Sequence, residues 1–516
     1  MLYAVARFAY KSDNGGATWE NLTSFRGASI LGEGLLDLAV SPTDDQQIAV
    51  AGSNGVFRSM DGGKSWSSLN QSLPNLPAAR LLSLPTGDHG VTLELTDGTV
   101  VEWEPGQKIA WRLANSAGLT AEEQQKQSYG AVRGLKVTAF AKSGSYLYLG
   151  FGDGLISASS DGGSSWKHNG YVGGAVERFW LDPADPRVAL ATFGATLVDP
   201  PAGVSPVHVV RTENGGIFWD DYTSNLPNAA AHGIAADSAS KAIYVATDRG
   251  VYAASTDFHI LGMAPRWSPL PGLPEGAAMD VKLDAQANQL WAAIDGYGVF
   301  STLAPHRLRD PRVVSTADMV ARATSPGALV SVLGARVQTA RAGDLQVPVL
   351  DANDNESQLQ IPFEAGGGSV SLAVQASDGR VINSPLPLEA AVPAIFTDRD
   401  GSPMLLDAES GLMLDAMNPA HSRGRIQVLA SGLGRVNPEW PTGVAGPAEN
   451  PPAVVAPVRA YLDRQPVEVT RAVLAPYVGF YMVELEVPKI VNSGPAELYL
   501  EVGGQSSNRV RVYIEP

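Results

Sequence analysis

Apolar and polar positions alternate in short runs through the first three hundred residues, and each run is closed by a turn. Arg80–Leu84, Val91–Leu95 and Thr99–Trp103 show the pattern, and Met1-Leu2-Tyr3-Ala4-Val5-Ala6 opens the chain with it. A period of two over four to seven residues predicts half-buried strands rather than helices. Between the strands one octet keeps returning: Ser59-Met60-Asp61-Gly62-Gly63-Lys64-Ser65-Trp66. Ser12-Asp13-Asn14-Gly15-Gly16-Ala17-Thr18-Trp19 has the same grammar, as do the octets Ser159–Trp166 and Thr212–Trp219. The Asx carbonyl can accept from backbone amides further along, and the glycines supply positive φ without steric cost. The indole then starts the next strand and buries a large surface. Asn14, Trp19, Asp61, Trp66, Asp161, Trp166, Asn214 and Trp219 are therefore structural, and the four tryptophans are expected in equivalent buried positions.

The opening hydroxyls Ser12, Ser59, Ser159, Thr212, Ser255 and Ser301 recur about every 48 residues, with one double step, which is the period of a four-stranded propeller blade. The double step hides a degenerate unit in which Glu104-Pro105-Gly106 leads to Trp111 in place of a box. Seven units result: Leu2–Leu22, which is partial, then 35–69, 80–113, 135–168, 176–222, 232–270 and 279–301. Ser255-Thr256-Asp257 of the sixth is followed by an insertion before Trp267. Asn54-Gly55, Asp97-Gly98, Asp153-Gly154, Asp248-Arg249-Gly250 and Asp295-Gly296 recur at one hairpin position and read as turns. Two longer connections, Asn115–Lys136 and Phe193–Pro206, are candidate functional loops, the first a candidate for a short helix. The octets resemble the Asp-box of the BNR-type β-propeller families. That resemblance implies a fold and no reaction.

After Pro305–Pro311 the boxes stop, while short strands with Pro and Gly turns continue. Pro326-Gly327-Ala328-Leu329-Val330-Ser331-Val332-Leu333-Gly334, Ala430–Pro438 and Tyr477-Val478-Gly479-Phe480-Tyr481 are among the recurring strings. They are similar to an Ig-like carboxy-terminal domain of acidobacterial exported proteins. The resemblance implies a pair of β-sandwiches and export from the cell. The expected architecture is all-β: a seven-bladed Asp-box β-propeller over 1–305, then two Ig-like β-sandwich domains over 306–394 and 395–516. Helix is expected in less than about a tenth of the chain. The chain begins inside a blade, so a leader and one further strand are expected upstream.

Composition narrows the function. The formal net charge of -16 sets the surface against phosphate backbones, so no nucleic acid is expected as a partner. There is no cysteine, which removes disulfides, thiolate metal sites and thiol nucleophiles. No apolar run reaches the length of a membrane span, so no membrane insertion is expected. No cofactor motif is present.

Aligning the first strand of each unit on its apolar alternation gives one column: Asp37, Arg80, Lys136, Arg178, Gly233 and Asp280. The column is expected at the mouth of the channel, where an Arg80–Lys136–Arg178 arc would receive an anionic or carboxylate-bearing ligand and Asp37 and Asp280 would accept from hydroxyls or amines. Ordinary salt bridging between blades is the competing reading. A glycoside hydrolase needs two carboxylates across the scissile bond, and Asp37 with Asp280 is the pair nominated. No sialidase-type arginine triad is found. Asp351-Ala352-Asn353-Asp354-Asn355 matches the calcium linker of cadherins, with Asp351, Asn353 and Asn355 as oxygen ligands. Its companion acidic motifs are not in matching order, and a solvated loop is the plain alternative. The expected function is a non-catalytic exported, periplasmic or cell-surface protein whose propeller binds a glycan or protein ligand. The alternatives are a glycoside hydrolase of the Asp-box kind and a structural or assembly component of a surface complex.

Overall fold

The computed structural model describes the chain except residues 24–28, 30, 33–34, 53–54, 70–76, 86–89, 104–110, 115–116, 197–205, 261–263, 275, 399–400, 417, 490–493 and 516. Asn54, Glu104-Pro105-Gly106 and most of the Phe193–Pro206 connection therefore lie outside the described residues. The chain divides into two compact units. One holds Met1–Ser83, Thr92–Glu102 and Ile109–Thr302, and the other holds Leu84–Val91, Trp103–Lys108 and Leu303–Pro516.

The first unit is built from small antiparallel sheets whose strands follow one another in sequence order, the propeller-like all-β arrangement that the alternation predicts. Among the described residues there are seven such sheets, four-stranded except the first and the last, which have three. The fourth sheet, for example, runs Val137–Ser143, Tyr146–Phe151, Leu155–Ser159 and Lys167–Gly170. Second strands such as Ala189–Phe193 and Ala242–Thr247 are buried on both faces because a sheet packs on each side of them.

The four boxes share one hydrogen-bond pattern. Ser59 Oγ donates to Asp61 Oδ1 at 2.8 Å and accepts from Gly63 N at 2.7 Å, while Asp61 Oδ1 also accepts from Ser65 N at 2.9 Å. Ser12, Ser159 and Thr212 make the corresponding bonds to Asn14 and Gly16, Asp161 and Gly163, and Asn214 and Gly216. Both glycines of each box have positive φ. The second glycine of the fifth sheet also faces its neighbour: a Cβ on Gly216 would lie 2.1 Å from Ala158 of the fourth sheet. Hydroxyl donation by Ser165 and Ser159, with the Ser165 amide, holds the exposed Asp161 carboxyl at about 2.

Where an element precedes its own sheet, a box tryptophan turns toward it. Trp219 is 4% exposed and stands edge-on to Tyr148 of the fourth sheet. Trp166 packs against Tyr129 of helix α1 (Ala117–Arg133), and Trp66 is half-buried against a core that also takes in Ala9 and Leu22 of the first sheet. Trp19 departs from the expected burial, with 45% of its surface exposed. It belongs to the first sheet, and no preceding sheet exists among the described residues to cover it.

In the second unit, two four-stranded sheets enclose one apolar core. One contains Arg312–Ser315, Leu329–Leu333, Glu356–Gln360 and Val349–Ala352; the other contains Leu345–Val347, Val337–Ala342, Ser369–Ala376 and Val381–Pro387. Strands from Ala394 to Glu515 surround a second core that includes Leu405, Val428, Tyr481, Leu498 and Val512. The buried Tyr481 hydroxyl donates to Gly434 O at 2.5 Å. The helices among the described residues are α1 and the short turn His306–Arg309.

Replacing Trp219 by Ala is expected to cost about 3–5 kcal/mol, the range for a buried large aromatic, and Trp19→Ala less than about 1 kcal/mol. Denaturant melts of the two variants check this; equal losses would mean that the covering element does not set the value of the anchor.

Candidate functional site

The first strand of five sheets carries the same irregularity. The pairing register slips between Ala78 and Arg80, Val137 and Ala139, Val176 and Arg178, Ala231 and Gly233, and Ala278 and Asp280. A bulge leaves one residue unpaired and turns two neighbouring side chains toward the same side. The unpaired residues Ala79, Glu177, His232 and Met279 line one cavity of about 290 Å³. Just past the bulges, Arg80, Ala139, Arg178 and Asp280 line an adjoining half-open cavity of about 500 Å³. Arg80, Leu119, Glu122, Lys126, Glu177 and Arg178 belong to both and form the layer between them.

A circuit of contacts closes around these cavities. Thr138 Oγ1 of the fourth sheet donates to Val176 O of the fifth at 2.8 Å, and Trp267 Nε1 of the sixth donates to Tyr222 O of the fifth at 3.0 Å. Between the sixth and seventh sheets there is no room for a side chain at residue 233, where a Cβ would lie 2.5 Å from Asp280 Oδ1. The seventh sheet then docks on the third: Leu81 N donates to Asp280 Oδ2 at 2.8 Å, and Lys282 Nζ donates to Leu82 O at 3.0 Å. Helix α1 completes the circuit. Arg80 of the third sheet donates to Glu122 through Nη1 at 3.0 Å and Nη2 at 3.1 Å, and Tyr129 stacks on Phe140 of the fourth sheet. The cavities are thus walled by five sheets and a helix instead of a ring of seven sheets.

The electrostatics follow from these contacts. Burial would lift the Glu122 carboxyl, but Arg80 and Lys126 outweigh it and hold the group at about 2. Lys126 lies 3.0 Å from Glu122 and 3.1 Å from Glu123, and Arg80 Nε lies 3.2 Å from Glu94. Burial pushes the Lys282 ammonium below its usual range; Asp280 opposes the fall, while Arg80 and Arg178 add to it. Arg178 Nη1 donates to Glu177 O at 2.9 Å, and its buried Nε has no hydrogen-bond partner. Among the described residues no carboxylate lies within ion-pair distance of Arg178 or Lys282.

Of the predicted column, the structure brings Arg80, Arg178 and Asp280 to one cavity, with Gly233 against Asp280. Lys136 is exposed and lines neither cavity; Ala139 takes its position, because the bulge and the end of α1 move the fourth strand by three residues relative to the alignment. Asp37 is also exposed, accepts from Leu38 N at 2.8 Å, and lies on a strand with no register shift, so it is not paired with Asp280. Both oxygens of Asp280 accept backbone amides, Oδ1 from Val281 at 2.9 Å and Oδ2 from Leu81. The sequence reading held Glu122 and Lys126 only within the Asn115–Lys136 connection, which contains the helix α1 that walls the cavity, and missed Glu177 and Lys282. Lys282 was accessible to it, being two residues from Asp280 on the same strand face, but the other three needed the bulge and the helix. In the second unit, Asp351 lies on strand Val349–Ala352, and Asn353 Oδ1 accepts from Asn355 N and Glu356 N, both at 3.0 Å, which is turn chemistry. Among the described residues no three His, Asp or Glu side chains gather as a metal group would require.

No family model matches this sequence, and no curated protein matches it. Among solved structures the chain is similar to YCF48 from Cyanidioschyzon merolae, at 15% identity over 64% of this chain and 96% of that one, with a TM-score of 0.23. It is similar to the GH74 xyloglucanase from Xanthomonas campestris, at 15% identity over 92% of this chain and 62% of that one, with a TM-score of 0.26. SGBP-B of the Bacteroides ovatus mixed-linkage glucan utilization locus, solved in complex with a mixed-linkage heptasaccharide, matches at 12% identity over 44% of this chain and 53% of that one, with a TM-score of 0.21. These likenesses carry no argument about the site, and the propeller-like character rests on the strand order.

Because the Glu122 carboxyl lies below its ordinary 4.5, its contribution to stability is present above that value and is lost as pH falls toward about 2. The stability gap between the native chain and Glu122→Gln is therefore expected to be constant above about pH 5 and to close below it. Denaturant midpoints across pH 2–7 check this; a gap that does not narrow in acid would remove the ion pair as its source.

Proposed function

We propose that this chain is a non-catalytic binding protein, exported or held at the cell surface, whose propeller takes up a ligand in the central cavity. In this reading the first unit is an Asp-box propeller in which five sheets and α1 enclose the site and the first two sheets extend the array. Ig-like modules over 306–394 and 395–516 space or attach it. The observation that carries the reading is the half-open cavity of about 500 Å³, where charged and hydroxyl side chains meet the apolar walls Phe140, Phe179, Ile234 and Val281. A few placed polar groups on an apolar lining are the ordinary make-up of a small-molecule site.

The hydrolase alternative has less to draw on. Asp280 spends both oxygens on backbone amides, Glu122 is held by Arg80 and Lys126, and Asp37 lies elsewhere. Among the described residues, Glu177 and Asp280 are the cavity carboxylates with no ion-pair partner, and of the two only Asp280 is taken up by backbone amides. A role in assembling a surface complex gains nothing specific from the cavity.

The test is a screen of the full chain against neutral oligosaccharides, free sugars and small organic acids, read by calorimetry and by the melting temperature. At least one class is expected to bind the native chain and to bind Arg178→Ala at least tenfold more weakly. If nothing binds, or if Arg178→Ala binds equally well, the cavity is not the site. Turnover of a bound glycoside would overturn the non-catalytic reading.

A further inference from the structure

The charged groups around the cavity do not balance locally. Arg80 is neutralised by a bidentate bond to Glu122 and a second contact with Glu94. Lys126 lies between Glu122 and Glu123. Asp280 is two residues from Lys282 in sequence, yet its oxygens accept from Leu81 N and Val281 N. Two cations remain. Arg178 uses Nη1 on a backbone carbonyl and has a buried, unpartnered Nε; Lys282 uses one of its three N–H groups on Leu82 O. A lysine can escape the cost of burial by losing its proton, but a guanidinium cannot. Arg178 therefore holds a permanent charge at the cavity wall with donors to spare.

We propose that the Arg178–Lys282 end of the cavity binds the oxyanion head of a small organic acid, a carboxylate or a phosphate group, while Glu122 keeps Arg80 out of the contact. This rests on the reading of the cavity as the binding site and names its ligand class. An oxyanion accepts several charge-assisted hydrogen bonds at once, and an arginine fork beside a lysine supplies them in two directions. The cavity is far larger than a bare ion, so a body of several carbon atoms fits behind the head. Phe140, Phe179, Ile234 and Val281 offer that body apolar walls, and Ser83, Thr92 and Thr138 bring hydroxyls to the same space. The net charge of -16 over the chain makes this cationic end a local exception, which raises selectivity for an anion that has entered but does not draw one from afar.

The experiment titrates the full chain with acetate, succinate, sulfate and phosphate, and with succinamide as the uncharged counterpart of succinate. Native chain, Arg178→Gln, Lys282→Met and Glu122→Gln are compared by calorimetry, with circular dichroism as the check of fold. An anion is expected to bind the native chain and each of the first two variants at least tenfold more weakly, with no binding of succinamide. Glu122→Gln is expected to bind several-fold more tightly, because it frees Arg80 for the ligand; a merely structural Glu122 would not move affinity in that direction. Preference for succinate over phosphate, or the reverse, distinguishes the two sources of the head group. If Arg178→Gln does not fold, Lys282→Met and Glu122→Gln still decide the matter by their opposite signs. Anion binding that ignores both of these variants marks adventitious ions and overturns the proposal. If neutral sugars bind the native chain and no anion does, this inference falls and the binding function stands; if neither class binds, both fall.

Discussion

The acceptance of Leu81 N by the Asp280 carboxylate is the contact on which the cavity depends. A carboxylate buried to 3% exposure needs donors for its lone pairs, and here they are backbone amides of two different sheets. That requirement fixes where the seventh sheet meets the third. It also dictates Gly233, since any side chain there would collide with the same carboxylate from the other side. Lys282 adds a second bond to the next carbonyl along the third sheet's strand, so the closure is made by one residue that accepts and one that donates. Helix α1 then fills the remaining gap through Glu122 and Tyr129.

The boxes were fully legible because their bonds are local. Hydroxyl, Asx and glycine are within a few residues of one another, and each box needs nothing from outside to form its turn. What a box tryptophan touches is another matter. Trp219 and Trp19 sit at the same place in the same motif, yet one is buried and the other exposed, because the difference lies in the preceding element and not in the octet.

The candidate site was legible in part for a related reason. Arg80, Arg178, Gly233 and Asp280 could be aligned because each is followed by a hydrophobic residue at a fixed distance from a turn. Lys136 failed because the helix end and the bulge intervene between it and its strand. Glu122 was visible only as part of the Asn115–Lys136 connection, with no sign that Arg80, 42 residues earlier, would take both its oxygens. Pairings of that kind are tertiary facts. Periodicity along a strand cannot report them, whereas it could have reported Lys282 from Asp280.

The repeated register slip has a wider consequence. A regular strand offers every other residue to the interior, so a ring of strands presents a sparse inner surface. One inserted residue per strand lets two successive side chains look inward, as Glu177 and Arg178 do. The inner wall thereby gains positions that carry no burden of sheet pairing and can be exchanged one at a time. An architecture built in this way can change what it recognises while leaving untouched the turns that fold it.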